Sequence, residues 1–171
     1  NSKNKSYEIE KNKHLKSKEL NEYYKTLIEK FPLVSIEDAF SEDDYSGFQS
    51  FQKMISKSKS KSNIFSSNLR VGDDLLVTNP SRIQEAIDKK LCNALLLKIN
   101  QIGTITESFK AAKMAQEQNW SVIVSHRSGE TPDSFISDLA VAIGGEIKLG
   151  APARGERVAK YNRLLEICNK E

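Results

Sequence analysis

Five short apolar segments alternate with segments of helical periodicity, and this alternation limits the fold more than any other feature. Apolar strands separated by helices are typical of parallel strands buried on both faces. Right-handed crossovers then give either a doubly wound sheet or a (β/α)₈ barrel. No Gly-x-Gly-x-x-Gly follows a first strand, which counts mildly against a nucleotide-binding doubly wound sheet. The predicted strands are Leu33–Ile36, Leu69–Val71, Ala94–Leu97, Ser121–Val124 and Glu146–Lys148.

The segments around these strands set the predicted domain organisation. Residues 1–16 are polar and rich in lysine, which predicts a loop or disorder. Residues 17–171 form the predicted α/β domain, and residues 56–68 are a low-complexity insertion of serine and lysine at the edge away from the chemistry. Helical spacing and breakers predict helices over residues 17–30, 48–55, from 79–81 onward, 106–119, 132–143 and 154–168.

Composition excludes some partners. The net charge is only +3, and much of the lysine lies in two runs, residues 3–18 and 57–61, so no nucleic acid is expected to bind. No segment approaches the ~20 apolar residues of a membrane span, so no membrane partner is expected. Cys92 and Cys168 are far apart and lack a CxxC pattern. This favours a reducing compartment, the cytoplasm.

A polar residue follows each predicted strand. Because parallel strands end at the same edge, these groups are expected to meet where barrel enzymes place their chemistry. Taken singly, each has a simpler interpretation: an acidic residue caps the next helix, and a lone histidine lies at the surface or in the core. Five in succession would be a costly way to build a core, because buried charges need partners. They are Glu37-Asp38, Asp73-Asp74, Lys98, Ser125-His126-Arg127 and Lys148.

This combination of side chains predicts a metal-assisted acid–base site. Two carboxylates from neighbouring strands suit Mg²⁺, whereas Zn²⁺ would prefer histidine and cysteine, and only one histidine is nearby. A lysine that faces a cation and a second lysine becomes a better base. His126, Arg127 and Ser128 offer donors for a phosphate or a carboxylate. The predicted reaction is removal of a proton next to a carboxylate.

Five motifs, in one order, resemble the enolase family, the glycolytic phosphopyruvate hydratases. The resemblance covers about residues 17–171 apart from the insertion, and SHRSGET followed by GAPARxER is highly specific. It implies a partial TIM-type barrel of about five consecutive β/α units, with the first strands and the N-terminal domain missing. The motifs are VSIEDAF (34–40), VGDDLLVTNPSRI (71–83), LLLKINQIGTITES (95–108), VIVSHRSGETPDSFISDLAVAIG (122–144) and IKLGAPARGERVAKYNRLLEI (147–167).

The resemblance implies Mg²⁺-dependent dehydration of 2-phosphoglycerate to phosphoenolpyruvate. Glu37 and Asp73 resemble two of the three protein ligands of the first Mg²⁺, with Asp74 supporting them. Ser128 resembles a ligand of a second Mg²⁺.

The remaining residues resemble the catalytic and substrate-binding groups of the family. Lys98 resembles the base that removes the C2 proton, and Lys148 the second lysine, which faces the substrate carboxylate. His126 resembles the loop histidine that approaches the substrate, and Arg127 a phosphate contact. The substrate-binding set is Glu37, Asp73, Ser125, His126, Arg127, Ser128 and Lys148.

Some family features differ or are absent. Ala39, Leu149 and Gly155 stand where Pro, Thr and Ser are usual, which should have small effects on packing or loop rigidity. The third metal ligand, an Asp, and the acid-side Glu pair belong to an upstream part that this chain lacks, and no initiator Met is present. The chain alone is therefore expected to be inactive, and the full-length protein to be a homodimeric enolase. The alternative is a non-catalytic, enolase-like structural or interaction module.

Overall fold

A computed structural model describes residues 6–57 and 69–169 of the chain. Seven strands and seven helices lie in these ranges. They are β1 Tyr7–Glu10, β2 Lys13–Leu15, α1 Ser17–Lys30, β3 Ser35–Glu37, α2 Tyr45–Lys57, β4 Leu69–Gly72, α3 Pro80–Lys89, β5 Ala94–Leu97, α4 Ile99–Ile102, α5 Ile105–Glu117, β6 Ser121–Ser125, α6 Phe135–Ile143, β7 Glu146–Lys148 and α7 Gly155–Cys168.

Strands β3 to β7 form one parallel sheet in chain order, curled into a half-barrel, so the expected partial barrel is confirmed. Strand β5 in the middle is buried along its whole length, as expected for a strand covered on both faces. The prediction of burial on both faces is wrong for β3 and β7, whose alternate residues are exposed. These two strands are the edges of the described sheet, and each has a single strand neighbour there.

The core lies mainly between the sheet and its helices. Leu95 and Leu97 of β5 belong to the large cluster on that side, while Ala94 and Leu96 pack with Val71 in a small cluster on the opposite face. The period-2 alternation of a strand therefore divides β5 between two apolar layers. This packing fixes the direction in which each strand delivers the residue that follows it.

Local capping explains where several helices begin. The side chain of Asn79 accepts a hydrogen bond from the Ser81 amide, and Pro80 occupies the first helical position of α3. Thr104 caps α5 in the same manner through the Glu107 amide. Helix α2 begins at Tyr45, earlier than the predicted residue 48, because the Asp44 carboxylate accepts the Gly47 amide.

The prediction of a loop or disorder over residues 1–16 is wrong for residues 7–15. Strands β1 and β2 pair antiparallel, with Tyr7 opposite Leu15, and Asn12 takes a positive φ of 66° at the turn. Tyr7, Ile9 and Leu15 pack against the main core, which supplies the burial that a two-stranded hairpin needs. Residues 1–5 lie outside the described residues.

Two further predictions are refined by the structure. Helix α6 begins at Phe135 rather than at residue 132, because the Asp133 carboxylate accepts the Phe135 amide at 2.7 Å and so holds the preceding backbone outside the helix. Ser56 and Lys57 of the predicted insertion end α2, and residues 58–68 lie outside the described ranges. Within the described residues, no helix is both long and apolar enough to cross a membrane.

Asp44 connects the hairpin to the helices that cover the sheet. Its Oδ2 accepts hydrogen bonds from the Tyr7 hydroxyl at 2.7 Å and from the Ser17 hydroxyl at 2.5 Å, while Oδ1 accepts the Gly47 amide at 2.9 Å. Burial raises the pKa of the Asp44 carboxyl, but these hydrogen bonds and one from Ser46 outweigh it, so the pKa is lowered. Burial, followed by the bond to Asp44, raises the pKa of Tyr7 to about 12.

Replacing Asp44 by asparagine is expected to make the free energy of unfolding less dependent on pH at acidic pH. Because the folded-state pKa of Asp44 is lowered, its contribution is complete above the unfolded value of about 4 and is lost as pH falls through the folded value. The free energy of unfolding of the wild type should therefore fall more steeply below about pH 4 than that of Asp44→Asn. Denaturant unfolding across this range measures both. Asp88→Asn, at an exposed position of α3, is the control, and parallel wild-type and Asp44→Asn profiles would contradict the expectation.

Candidate active site

The carboxyl edge of the five-stranded sheet brings the predicted strand-end residues to one side of the molecule. The parallel register pairs Glu37 with Val71, Gly72 with Leu95, Leu97 with Val124 and Ser125 with Lys148. Each strand therefore ends within two residues of its neighbour. The residues delivered to this edge are Glu37, Asp73, Lys98, Ser125, His126 and Lys148.

Two lysine–carboxylate pairs dominate this edge. The Lys98 ammonium binds Oδ2 of Asp73, and both side chains are largely buried, with 14% and 11% of their surface exposed. The Lys148 ammonium contacts Oε1 and Oε2 of Glu37 at 2.8 and 2.7 Å, in a more open setting. Glu37 and Lys148 lie on the two outer strands β3 and β7. Each acidic residue therefore has a basic partner from a different strand, which compensates for the burial of charge.

Asp38 organises the acidic part of the site, a role that the sequence reasoning missed. Its Oδ1 and Oδ2 accept the backbone amides of Asp73 and Asp74 at 2.9 and 2.8 Å. Burial raises the pKa of Asp38, the two amides lower it, and the neighbouring carboxylates raise it further, with a net upward shift. Asp38 thus fixes the backbone that carries Asp73. Its position beside Glu37 was visible in the sequence, but its bonding was not.

Thr78 and Gln101 support the Lys98–Asp73 pair and were also missed. The fully buried Thr78 accepts the Lys98 amide at 2.9 Å and donates to the Gln101 side chain, whose Nε2 lies 3.4 Å from Oδ1 of Asp73. Val77 and Thr78 both have positive φ angles, 44° and 55°. Left-handed backbone at two consecutive β-branched residues is strained, and strain of this kind is concentrated at functional sites.

The segment after β6 carries the predicted substrate donors. The His126 amide donates to the Lys148 carbonyl at 3.0 Å, which joins the ends of β6 and β7. The Arg127 guanidinium donates to the Asn100 side chain at 3.0 Å, so it reaches the region just after Lys98. Ser125 is buried, and its hydroxyl donates to the carbonyl of the next residue. The Ser128 side chain is exposed and has no recorded contact with the acidic groups among the described residues.

His126 lies in surroundings that disfavour a positive charge on its imidazole. Burial, followed by the positive charge of Arg157, lowers the pKa of His126 below its ordinary value of about 6.5. Its Nδ1 is buried and lacks a hydrogen-bond partner within the described part of the chain. Gly150, with φ of +73°, allows this packing, because a Cβ there would lie 3.0 Å from Cε1 of the ring.

The donor set of the site suits a hard cation. The carboxylates of Asp38, Asp73 and Asp74 have oxygen atoms within 4.8 Å of one another, which matches the oxygen ligands that Mg²⁺ prefers. Both oxygens of Asp38 already accept backbone amides, so Asp73 is the better ligand of the two. Glu37, the other predicted ligand, contacts Lys148 in this structure. Asp73 and Glu37 each contact a lysine ammonium group. Both carboxylates therefore lie in positions where they bind positive charge, as metal ligands must.

Comparison with known proteins decides the family. The model of the enolase C-terminal TIM barrel domain matches residues 1–170. This chain belongs to the enolase family. Enolase 2 of Methanospirillum hungatei JF-1 is 49% identical over 156 residues, which cover 91% of this chain and 34% of that protein. The enolase chain described here thus spans about a third of the length of the curated relative that it matches.

The match confirms the family resemblance and the barrel fold, and it extends through the hairpin at residues 7–15. The three departures from the family pattern have clear positions. Ala39 and Leu149 are buried, the Ala39 carbonyl accepts the Tyr24 hydroxyl at 2.7 Å, and Gly155 is the first residue of α7. None of the three removes a charged group from the edge of this enolase barrel.

Proposed function

We propose that this chain supplies the base side of the active site of a longer enolase, a lyase of glycolysis that converts 2-phosphoglycerate to phosphoenolpyruvate. The observation that carries the proposal is the pair of lysine–carboxylate contacts, Lys98 with Asp73 and Lys148 with Glu37, at the carboxyl edge of one parallel sheet. A base beside a carboxylate-rich cation site is suited to removing a proton next to a substrate carboxylate.

The side chains divide the work as follows. Lys98 takes the proton from C2 of the substrate, and the ammonium group that results pairs with Asp73 as in this structure. Lys148 places its positive charge beside the substrate carboxylate, where negative charge grows during proton removal. The departure of the C3 hydroxyl needs a proton from an acid that the family resemblance places outside this chain. His126, whose backbone amide binds the Lys148 carbonyl, approaches the substrate from the β6 side in this proposal.

Arg127, Ser125 and Ser128 are proposed to bind the substrate, with Arg127 on its phosphate. A guanidinium offers paired donors that match the geometry of a phosphate. Asp73 and Glu37 would hold one Mg²⁺, with Asp74 in support, and Ser128 a second. When bound, the ions would supply positive charge beside the substrate carboxylate. We further propose that the full-length enolase is a cytoplasmic homodimer.

Phosphoenolpyruvate formation by the full-length protein tests this function. We expect turnover of 2-phosphoglycerate with Mg²⁺ present, loss of turnover when a chelator removes the ion, and recovery when Mg²⁺ is restored. The ultraviolet absorbance of the enol phosphate product measures the rate. A full-length protein that is folded and dimeric but shows no turnover at saturating Mg²⁺ would instead support the non-catalytic, enolase-like module.

A further inference from the structure

The segment His126–Thr131 has no regular secondary structure, yet it carries three of the residues proposed to act on the substrate. Two charged side chains on the inner face of α7, Arg157 and Lys160, contact this segment. They lie three residues apart and therefore project from the same side of the helix. Both are buried, which is unusual for their residue types.

Lys160 has almost no exposed surface, 1%, and its ammonium group has three oxygen partners. Its Nζ lies 2.8 Å from the Thr131 carbonyl, 2.9 Å from the Glu156 carbonyl and 2.8 Å from Oε2 of Glu130. An ammonium group has three N–H donors, so each can be satisfied. Burial of such a charge is costly unless it is fully paired, and this pairing fixes the geometry of the residues around it.

Glu130 connects Lys160 to the backbone of the segment His126–Thr131. While Oε2 binds Lys160, Oε1 accepts the backbone amide of Arg127 at 2.8 Å. Arg157 provides a second connection, since its Nη2 donates to the Ser128 carbonyl at 3.1 Å. Helix α7 thus holds the backbone at two successive residues, Arg127 through Lys160 and Glu130, and Ser128 through Arg157.

We propose that Glu130 and Lys160 are positioning residues that hold the backbone of Arg127 and Ser128 in the geometry that binds the phosphorylated substrate. The inference rests on the function proposed above. A purely structural clamp is present on the same helix for comparison: Arg163 donates to Asp138 from Nε at 3.0 Å and joins α7 to α6 without contacting the segment.

Glu130→Gln in the full-length protein is the direct test. The two groups that Glu130 binds, the Arg127 amide and the Lys160 ammonium, are both donors, so an amide side chain can satisfy only one of them. We expect KM for 2-phosphoglycerate to rise and kcat/KM to fall by about 100-fold, the scale of a displacement of about 1 Å in a binding group. Amide hydrogen exchange at residues 127–131 should become faster.

Lys160→Met and a matched control complete the design. If Lys160 acts through Glu130, the double variant should lose little more than the single variants, because the two changes break the same chain of contacts. Asp138→Asn, which weakens the more exposed α6–α7 clamp, should lower the thermal midpoint less than Glu130→Gln and should leave KM and the exchange of residues 127–131 unchanged.

Two results would overturn the inference. One is Glu130→Gln and Lys160→Met variants with wild-type KM and wild-type exchange in the segment. The other is full additivity in the double variant. The hydrogen-exchange measurement does not depend on catalysis, so an inactive wild-type protein would count against the proposed function alone, and the exchange of residues 127–131 would still decide whether the segment is held by α7.

Discussion

Lys98→Ala is expected to lower kcat of the full-length enolase by about 10²–10⁴-fold, the range that a positioned general base contributes. Lys98 directly follows β5, its amide is fixed by Thr78, and its ammonium group binds the largely buried Asp73. Lys148 is the other lysine that the described strands deliver to this edge, and it lies on β7, two strands away from Lys98, where it contacts Glu37. Steady-state measurement of phosphoenolpyruvate formation gives the rate, and solvent deuterium exchange at C2 of the substrate reports proton removal directly.

Lys113→Ala is the matched control for this prediction, since Lys113 is an exposed lysine of α5 whose side chain has 78% of its surface accessible. It should keep the wild-type kcat. Lys98→Met, which retains most of the side-chain volume, separates the loss of the base from the loss of packing and should be as impaired as Lys98→Ala. Undiminished turnover or C2 exchange in either Lys98 variant would contradict the assigned base and leave the family assignment intact.

The positions of the site residues could be predicted because the parallel alternation of strands and helices leaves little freedom. Once Leu95 and Leu97 point into the helix-side core, the residue that follows β5 must lie at the carboxyl edge. The same reasoning placed Glu37, Asp73 and Lys148, and the structure brings all of them to that edge. Hydrophobic periodicity thus indicated the edge of the sheet where the polar residues lie, whereas the choice of a barrel over a doubly wound sheet came from the family resemblance.

The partners of those residues could not be predicted, because pairing depends on side-chain distances between strands and not on spacing in the sequence. Asp38 is adjacent to Glu37, yet it binds amides 35 and 36 residues away. Thr78 occupies a strained backbone position that no propensity favours. Lys160 is almost fully buried, and the sequence gives no sign of it, since a lysine is rarely buried without several partners.

The hairpin was missed for a different reason. Three lysines and two glutamates between residues 7 and 16 obscure a weak alternation of Tyr7 and Ile9, and Asn12 is the one turn signal. Such short strands are unstable alone, so local sequence gives little evidence for them. Their stability comes from Tyr7, whose ring packs edge-on against Phe40 at 5.8 Å and whose hydroxyl binds Asp44. Whether this hairpin forms therefore depends on tertiary contacts, which a short window of sequence does not contain.

Tyr7 and Phe40 belong to an aromatic cluster that also contains Tyr24, Phe48 and Phe51. We expect the largest loss of stability from truncating a ring of this cluster. Phe51→Ala is expected to lower the free energy of unfolding by about 3–5 kcal/mol, the range found when a buried phenylalanine is truncated. Phe51 has 1% of its surface exposed, and its ring lies 5.4 Å from Tyr24 and 6.1 Å from Phe40. Truncation leaves a cavity among rings on α1, on α2 and after β3, and Tyr24 is also bonded to the Ala39 carbonyl next to Asp38.

Phe109→Ala provides the control, because Phe109 on α5 has 42% of its surface exposed and should change stability by no more than about 0.5–1 kcal/mol. Denaturant unfolding of both variants measures the difference. If both truncations lower the free energy of unfolding by the same amount, the packing of α1 and α2 on β3 does not stabilise the fold as described. If Phe51→Ala also raises KM while the folded fraction stays unchanged, then this aromatic cluster also holds the Glu37–Asp38 segment in the position that binds the substrate.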